Sequence, residues 1–178
     1  MLGLVFTELM QFIELRHGEA TVDAVLDVLQ LEHDGAYTAV GNYPHTEAVA
    51  FLSQVAEQQG EPLPEMIEAF GRHLFGRFHT LYPEFFEGIE TSMDFMERVE
   101  DHIHTEVKKL YGEASPPRLA TQRQDDGLRV SYRSHRPLAT LALGLLHGCI
   151  ETYGASDRVE QLDDGSDPHR AEFHVRSG

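Results

Sequence analysis

Two short stretches carry residue types that could do chemistry. The first is EDHIHTEVKKLY, residues 100–111, which sets His102 and His104 two apart in an amphipathic pattern. An imidazole can be a metal ligand, a proton carrier or an ordinary surface group. A helix advances about 100° per residue, so the two rings point about 200° apart and cannot close on one metal ion together. Each is therefore weighed alone. The apolar stripe runs through Met96, Val99, Ile103, Val107 and Leu110, with one histidine on each flank. His102 shares its side with Arg98, Glu106 and Lys109. His104 lies beside Val107 and Tyr111, but also beside Glu97, Glu100 and Lys108. The pattern puts His104 on the less solvated flank without selecting either ring as a ligand. The chain has eleven histidines, and the others show no HExxH or comparable spacing.

The second stretch is Tyr132-Arg133-Ser134-His135-Arg136, at the end of an expected strand and just before Pro137. Alternate residues of a strand share a face, so Tyr132 and Ser134 point the same way, and Arg136 can continue that side. A phenol, a hydroxyl and a guanidinium together suit one or two carboxylates, because arginine offers a charge-assisted fork and the hydroxyls add donors. The same residues would also make a plain strand end with a Ser cap, a Pro at the first helical position and an exposed Arg.

These stretches need elements to hold them. Leu4, Val5, Leu9, Phe12, Ile13 and Leu15 recur at helical spacing, and the helix should end near His17-Gly18. Val22, Val25, Leu26, Val28 and Leu29 predict a second helix, and the Gly- and Pro-containing residues 33–44 a loop. Thr46 is placed to cap a helix over residues 48–58. Pro62 and Pro64 open a helix whose apolar face includes Met66, Phe70, Leu74 and Phe78. A long helix should start at Thr91 or Ser92 and run unbroken to about Leu110. Asp126-Gly127 between two short runs signals a hairpin, residues 137–153 read as a helix, and the DDGSDP region marks a second hairpin. The expected fold class is α+β: a mainly helical N-terminal part, then a small antiparallel sheet crossed by a helix. A helical subdomain over about 1–62 and an α/β subdomain over about 63–178 are expected.

Charge narrows the function classes. Thirty acidic residues against fourteen Lys and Arg leave a formal net charge of −16. Such a surface repels phosphate backbones and anionic membranes, so no nucleic-acid partner and no membrane are expected. One cysteine, Cys149, allows neither an internal disulfide nor a cysteine zinc cluster within the chain. On a helix rich in Leu and Gly it reads as a small core residue. The start MLGLVFTELMQF carries Glu8 in its apolar run and no basic leader, so it reads as a folded helix rather than a signal peptide. A cytoplasmic location is expected.

Taken in order, MLGLVF, AFGRHLFGRF, LYPEFFEG, DHIHTEVKKLYGEASPPRL, YRSHR and GLLHGCIETYG resemble the haem nitric oxide/oxygen-binding (H-NOX) domain, which also serves as the sensor of soluble guanylate cyclase. The likeness is to the stand-alone bacterial members and covers nearly the whole chain. It implies an H-NOX-like fold with haem b (iron protoporphyrin IX) as cofactor. The family's D-x-x-H spacing, met by Asp101 and His104, makes His104 the proximal ligand of the iron. Tyr132, Ser134 and Arg136 would hold the propionates, and Pro117 would press on the porphyrin and keep it distorted. Val5, Leu9, Leu74, Phe78, Leu141 and Leu145 would line the pocket. His102 has no ligand role in the family.

The resemblance also implies a sensor and not a catalyst. Oxygen-binding relatives carry a distal Tyr where this chain has Leu141, and the supporting polar positions are Leu9 and Leu74. Bound oxygen needs a distal donor, so NO and CO are the expected ligands and oxygen is not. NO binding would break the iron–His104 bond and shift one subdomain against the other. The signal would pass to a separate effector, a histidine kinase or a diguanylate cyclase by family expectation. The rivals are a haem-free interaction module of the same fold and a haem enzyme consuming NO or peroxide. The enzyme would need a distal acid–base pair that three leucines do not provide.

Overall fold

The computed structural model describes residues 1–31, 33–112 and 114–178. The chain forms two compact units, Met1–Phe70 and Gly71–Gly178. The division falls within the helix Leu63–Leu81.

The first unit contains α1 (Gly3–His17), α2 (Glu19–Leu29), α3 (His45–Gln59) and the first turns of α4 (Leu63–Leu81). Apolar side chains at helical intervals explain the elements: Phe6, Leu9 and Ile13 on α1, Val22 and Val25 on α2, Phe51 and Val55 on α3, and Met66 and Phe70 on α4 are all buried. The loop before α3 packs as well. The Phe6 ring stacks on Tyr37 at 4.4 Å between centroids and meets the edge of Tyr43 at 5.4 Å. Thr46 does not cap α3. The helix begins one residue before it, at His45, and Pro44 stands outside with its carbonyl accepting the Glu47 N–H at 3.1 Å. Thr46 is the second helical residue and so does not stand at the capping position.

In the second unit the remainder of α4 is followed by a single 3₁₀ turn, Pro83–Phe85, and then α5 (Ser92–Arg98). Thr91 caps α5 as its type predicts, its hydroxyl accepting the Asp94 N–H at 3.1 Å. The helix does not run unbroken to Leu110. Residues Val99–Ile103 form a π turn in which the His104 N–H reaches back to the Val99 carbonyl, and α6 (His104–Leu110) resumes from there. One extra residue is accommodated in this turn, so the 100° step used on the sequence is not kept across it.

The sheet is antiparallel throughout, in the order β1-β2-β4-β3, with β1 Arg118–Gln124, β2 Gly127–Arg133, β3 Arg158–Gln161 and β4 Arg170–Arg176. Alternation sorts its faces. Leu128, Val130 and Tyr132 of β2 and Ala171, Phe173 and Val175 of β4 point inward onto one core with Met93, Phe95, Met96, Leu146, Cys149 and Ile150. That core includes one face of α7 (Ala139–Thr152). Cys149 is 1% exposed and its thiol is held well above the ordinary range by burial, then by Asp157. It is a core side chain with little thiolate character.

Helices α4 and α7 approach closely where glycines replace side chains. A Cβ at Gly71 would lie 2.6 Å from the Leu141 carbonyl oxygen and 2.8 Å from the Gly144 Cα. Both are backbone atoms and cannot rotate aside. Overpacking of this kind costs about 1–3 kcal/mol, against about 1 kcal/mol gained from better helix propensity. Gly71→Ala should therefore lose stability by a net of about 1 kcal/mol, read as a lower urea midpoint with an unchanged slope. Among the described residues no helix is long and apolar enough to cross a membrane.

Candidate functional site

His104 is the first residue after the π turn, and its side chain is 12% exposed. His102, inside the turn, is exposed. The His104 Nδ1 lies 3.2 Å from a Glu100 carboxylate oxygen. That same oxygen accepts the Leu119 backbone N–H at 2.9 Å. Burial would by itself raise the Glu100 carboxyl, but the Leu119 N–H and His104 outweigh it and hold the group below its usual range. Glu100 is thus an ionised acceptor, and the proton between the two groups belongs to Nδ1. The opposite nitrogen, Nε2, keeps its lone pair and has no hydrogen-bond partner among the described residues. Burial lowers the His104 pKa more than Glu100 raises it, so the ring is a neutral imidazole.

Strand β2 ends at Arg133, and Ser134 remains tied to the segment just before β4, its N–H donating to the His169 carbonyl at 2.9 Å. Tyr132 is 4% exposed, opposite Leu119 on one side and Ala171 on the other. Burial raises its phenol, while hydrogen bonding to Ser134 and the charge of Arg136 pull the other way. The phenol thus stays protonated as a donor, within reach of both partners. The Ser134 hydroxyl accepts the Arg136 N–H at 3.0 Å. This local turn delays the helix. Instead of starting at Pro137, α7 starts at Ala139, and neither Ser134 nor Pro137 caps it.

Arg136 is half-buried, and one guanidinium nitrogen donates to the Ser115 carbonyl at 2.6 Å. Burial lowers its pKa, and no carboxylate pairs with it among the described residues. An open cavity of about 350 Å³ lies on this side, lined by Ser115, Pro116, Arg118, Arg133, Ser134, His135, His169 and Arg170. Three of those arginines sit in one row across the sheet, Arg118 opposite Arg133 and Arg133 opposite Arg170. A chain of net charge −16 therefore concentrates positive charge at one end of its sheet.

Pro117 is half-buried directly before β1. Leu74 is 2% exposed, while Phe78, Leu141 and Leu145 are half-buried, the last two on α7. Val5 and Leu9 belong to α1 of the first unit, half-buried and fully buried respectively. Sequence reasoning placed Glu100 next to His104 but gave it no role. Its four-residue spacing ahead of a less solvated histidine was the available signal. Among the described residues no cluster of three His, Cys, Asp or Glu side chains could hold a bare metal ion. What the second unit offers is one fixed imidazole nitrogen for a metal, and a guanidinium with two hydroxyls for an anion.

Residues 2–161 match the model of the haem-NO-binding family. No curated protein matches the chain. Among solved structures, the fold is similar to the solution structure of the Shewanella woodyi H-NOX protein in the Fe(II)CO ligation state, at 33% identity and a TM-score of 0.85, covering 100% of this chain and 95% of that one. The S. oneidensis H-NOX protein in the Fe(II)NO ligation state gives 23% identity and a TM-score of 0.88, covering 99% and 98%. The unliganded Fe(II) H-NOX protein from K. algicida gives 24% and 0.91, covering 100% and 97%. With the family match extending over most of its length, this chain belongs to the haem-NO-binding family.

Proposed function

We propose that this protein binds haem b and senses nitric oxide, with His104 as the single protein ligand to the iron and Tyr132, Ser134 and Arg136 holding the propionates. One observation carries the reading: a fixed neutral imidazole whose Nε2 has no partner among the described residues shares a unit with a half-buried guanidinium that has no carboxylate partner among them. A metal that needs only one protein ligand is one carried in a macrocycle, and a macrocycle with two carboxylates needs a buried cation. The residues present fit that group.

Ferrous haem, when bound, supplies an iron coordination position open to NO or CO. The chain's own residues do the rest. Glu100 keeps the His104 ring in the tautomer that presents Nε2. The Tyr132 phenol and Ser134 hydroxyl donate to a carboxylate, and Arg136 neutralises it. Pro117, directly before β1, would press on the porphyrin. Leu74, Phe78, Leu141 and Leu145 would supply apolar lining from the second unit, and Val5 and Leu9 are the first unit's apolar candidates by family resemblance. His104 stands where the π turn passes into α6, so any change in what Nε2 holds acts on a helix junction. π turns are common at such functional points because the extra residue can be taken up or released. The response would pass to a separate effector protein, a histidine kinase or a diguanylate cyclase.

The test is an absorption spectrum of the reduced protein purified from haem-replete cells, alone and with NO. A histidine-ligated five-coordinate ferrous haem that takes up NO is expected. A colourless protein would reject the reading in favour of a haem-free interaction module.

A further inference from the structure

The D-x-x-H spacing draws attention to Asp101, yet Asp101 is exposed and makes no side-chain hydrogen bond among the described residues. The carboxylate that touches His104 is its neighbour Glu100, four residues before the ring. Glu100 is itself fixed. Strand β1 lies at the sheet edge, and the Leu119 N–H, which the ladder leaves unused, is taken by the same carboxylate oxygen. Leu119 stands opposite Tyr132 and two residues after Pro117. One side chain therefore links the imidazole to the strand that abuts the anion-binding residues.

We propose that Glu100 is a positioning residue for His104: by accepting a hydrogen bond from Nδ1–H it turns Nε2 outward as the ligand, and its negative charge makes that nitrogen a stronger donor to the iron. The inference rests on the haem-sensor reading above. A ligating histidine's second nitrogen is commonly held by a carboxylate, a carbonyl or water, and a carboxylate raises ligand basicity most because it carries full charge. A stronger Nε2 donor stiffens the iron–histidine bond and favours the ferric state. It would also oppose loss of that bond when NO binds. Glu100 would therefore set how readily the proposed sensor switches.

A purely structural Glu100, serving only the Leu119 N–H, would leave those properties alone, which makes the role testable. The iron–histidine stretch of the gas-free ferrous protein is measured by resonance Raman for wild type, Glu100→Gln and Glu100→Ala, together with the ferric/ferrous midpoint potential. The stretch should fall and the potential rise in both variants, furthest in Glu100→Ala. Loss of the iron–histidine bond after NO addition should become roughly tenfold faster, the size of effect seen when such outer partners are removed. Glu100→Gln keeps the length and one acceptor, so it carries the test if Glu100→Ala does not fold. A haem-bound Glu100→Gln with wild-type stretch and potential overturns this inference alone. A wild-type protein without haem overturns the sensor reading and this inference with it.

Discussion

His104→Ala protein, purified from haem-replete cells, is expected to lose its haem and to recover a five-coordinate ferrous spectrum only when imidazole is added. The expectation follows from the geometry of one ring. His104 has its Nδ1 committed to Glu100 at 3.2 Å, and its Nε2 has no partner among the described residues. No cluster of alternative ligands exists among the described residues, and His102 is exposed within the π turn. Removing an outer partner of a metal ligand costs about 10–100-fold in metal affinity, so removing the ligand itself should exceed about 100-fold. Free imidazole would fit the space vacated by the side chain and restore the nitrogen donor. A His104→Ala protein that keeps a normal histidine-ligated spectrum would show that another residue holds the iron. His102→Ala serves as the control and should retain haem.

The second large effect concerns the choice of gas. The ferrous protein is expected to form complexes with NO and CO and no stable complex with oxygen. Iron-bound oxygen draws electron density from the metal and relies on a nearby hydrogen-bond donor, whereas NO and CO bind without one. The family resemblance implies that a distal donor would be expected at Leu9, Leu74 or Leu141, and no leucine side chain can donate. Leu141 is half-buried on α7, while Leu9 and Leu74 are fully buried. Introducing a phenol with Leu141→Tyr should strengthen oxygen binding. A hydrogen bond to a charged group contributes about 2 kcal/mol, or about 30-fold in affinity. Spectra taken in air would show it as a persistent oxy band absent from the parent protein. A stable oxy complex of the unsubstituted protein would refute the prediction, and with it the reading of these leucines.

Local pattern alone determined a good deal here. Periodicity set the helices, because an amphipathic face must be buried whatever covers it, and α1, α2 and α4 lie close to where their apolar spacing put them. Alternation around Asp126-Gly127 set the β1–β2 hairpin and its inward residues Leu128, Val130 and Tyr132. The types and order of Tyr132, Ser134 and Arg136 offer two hydroxyls and a guanidinium that suit carboxylates, and by themselves they suit a plain strand end as well.

Other features depended on contacts distant in sequence. The π turn at Val99–Ile103 is invisible to a helical wheel, which assumes a constant step per residue. The start of α7 at Ala139 depends on the Ser134 hydroxyl choosing the Arg136 N–H over a capping role. That Arg136 has no carboxylate partner among the described residues, and donates to the Ser115 carbonyl, is a matter of tertiary placement. Glu100 shows the division most plainly. Its place beside His104 is a matter of spacing. Its ionised state and fixed aim come from the edge of β1, nineteen residues away, whose Leu119 N–H had no strand to pair with. Spacing can say which side chains are neighbours. Only the tertiary fold decides which of them shares a proton, because that depends on every other donor competing for the same oxygen.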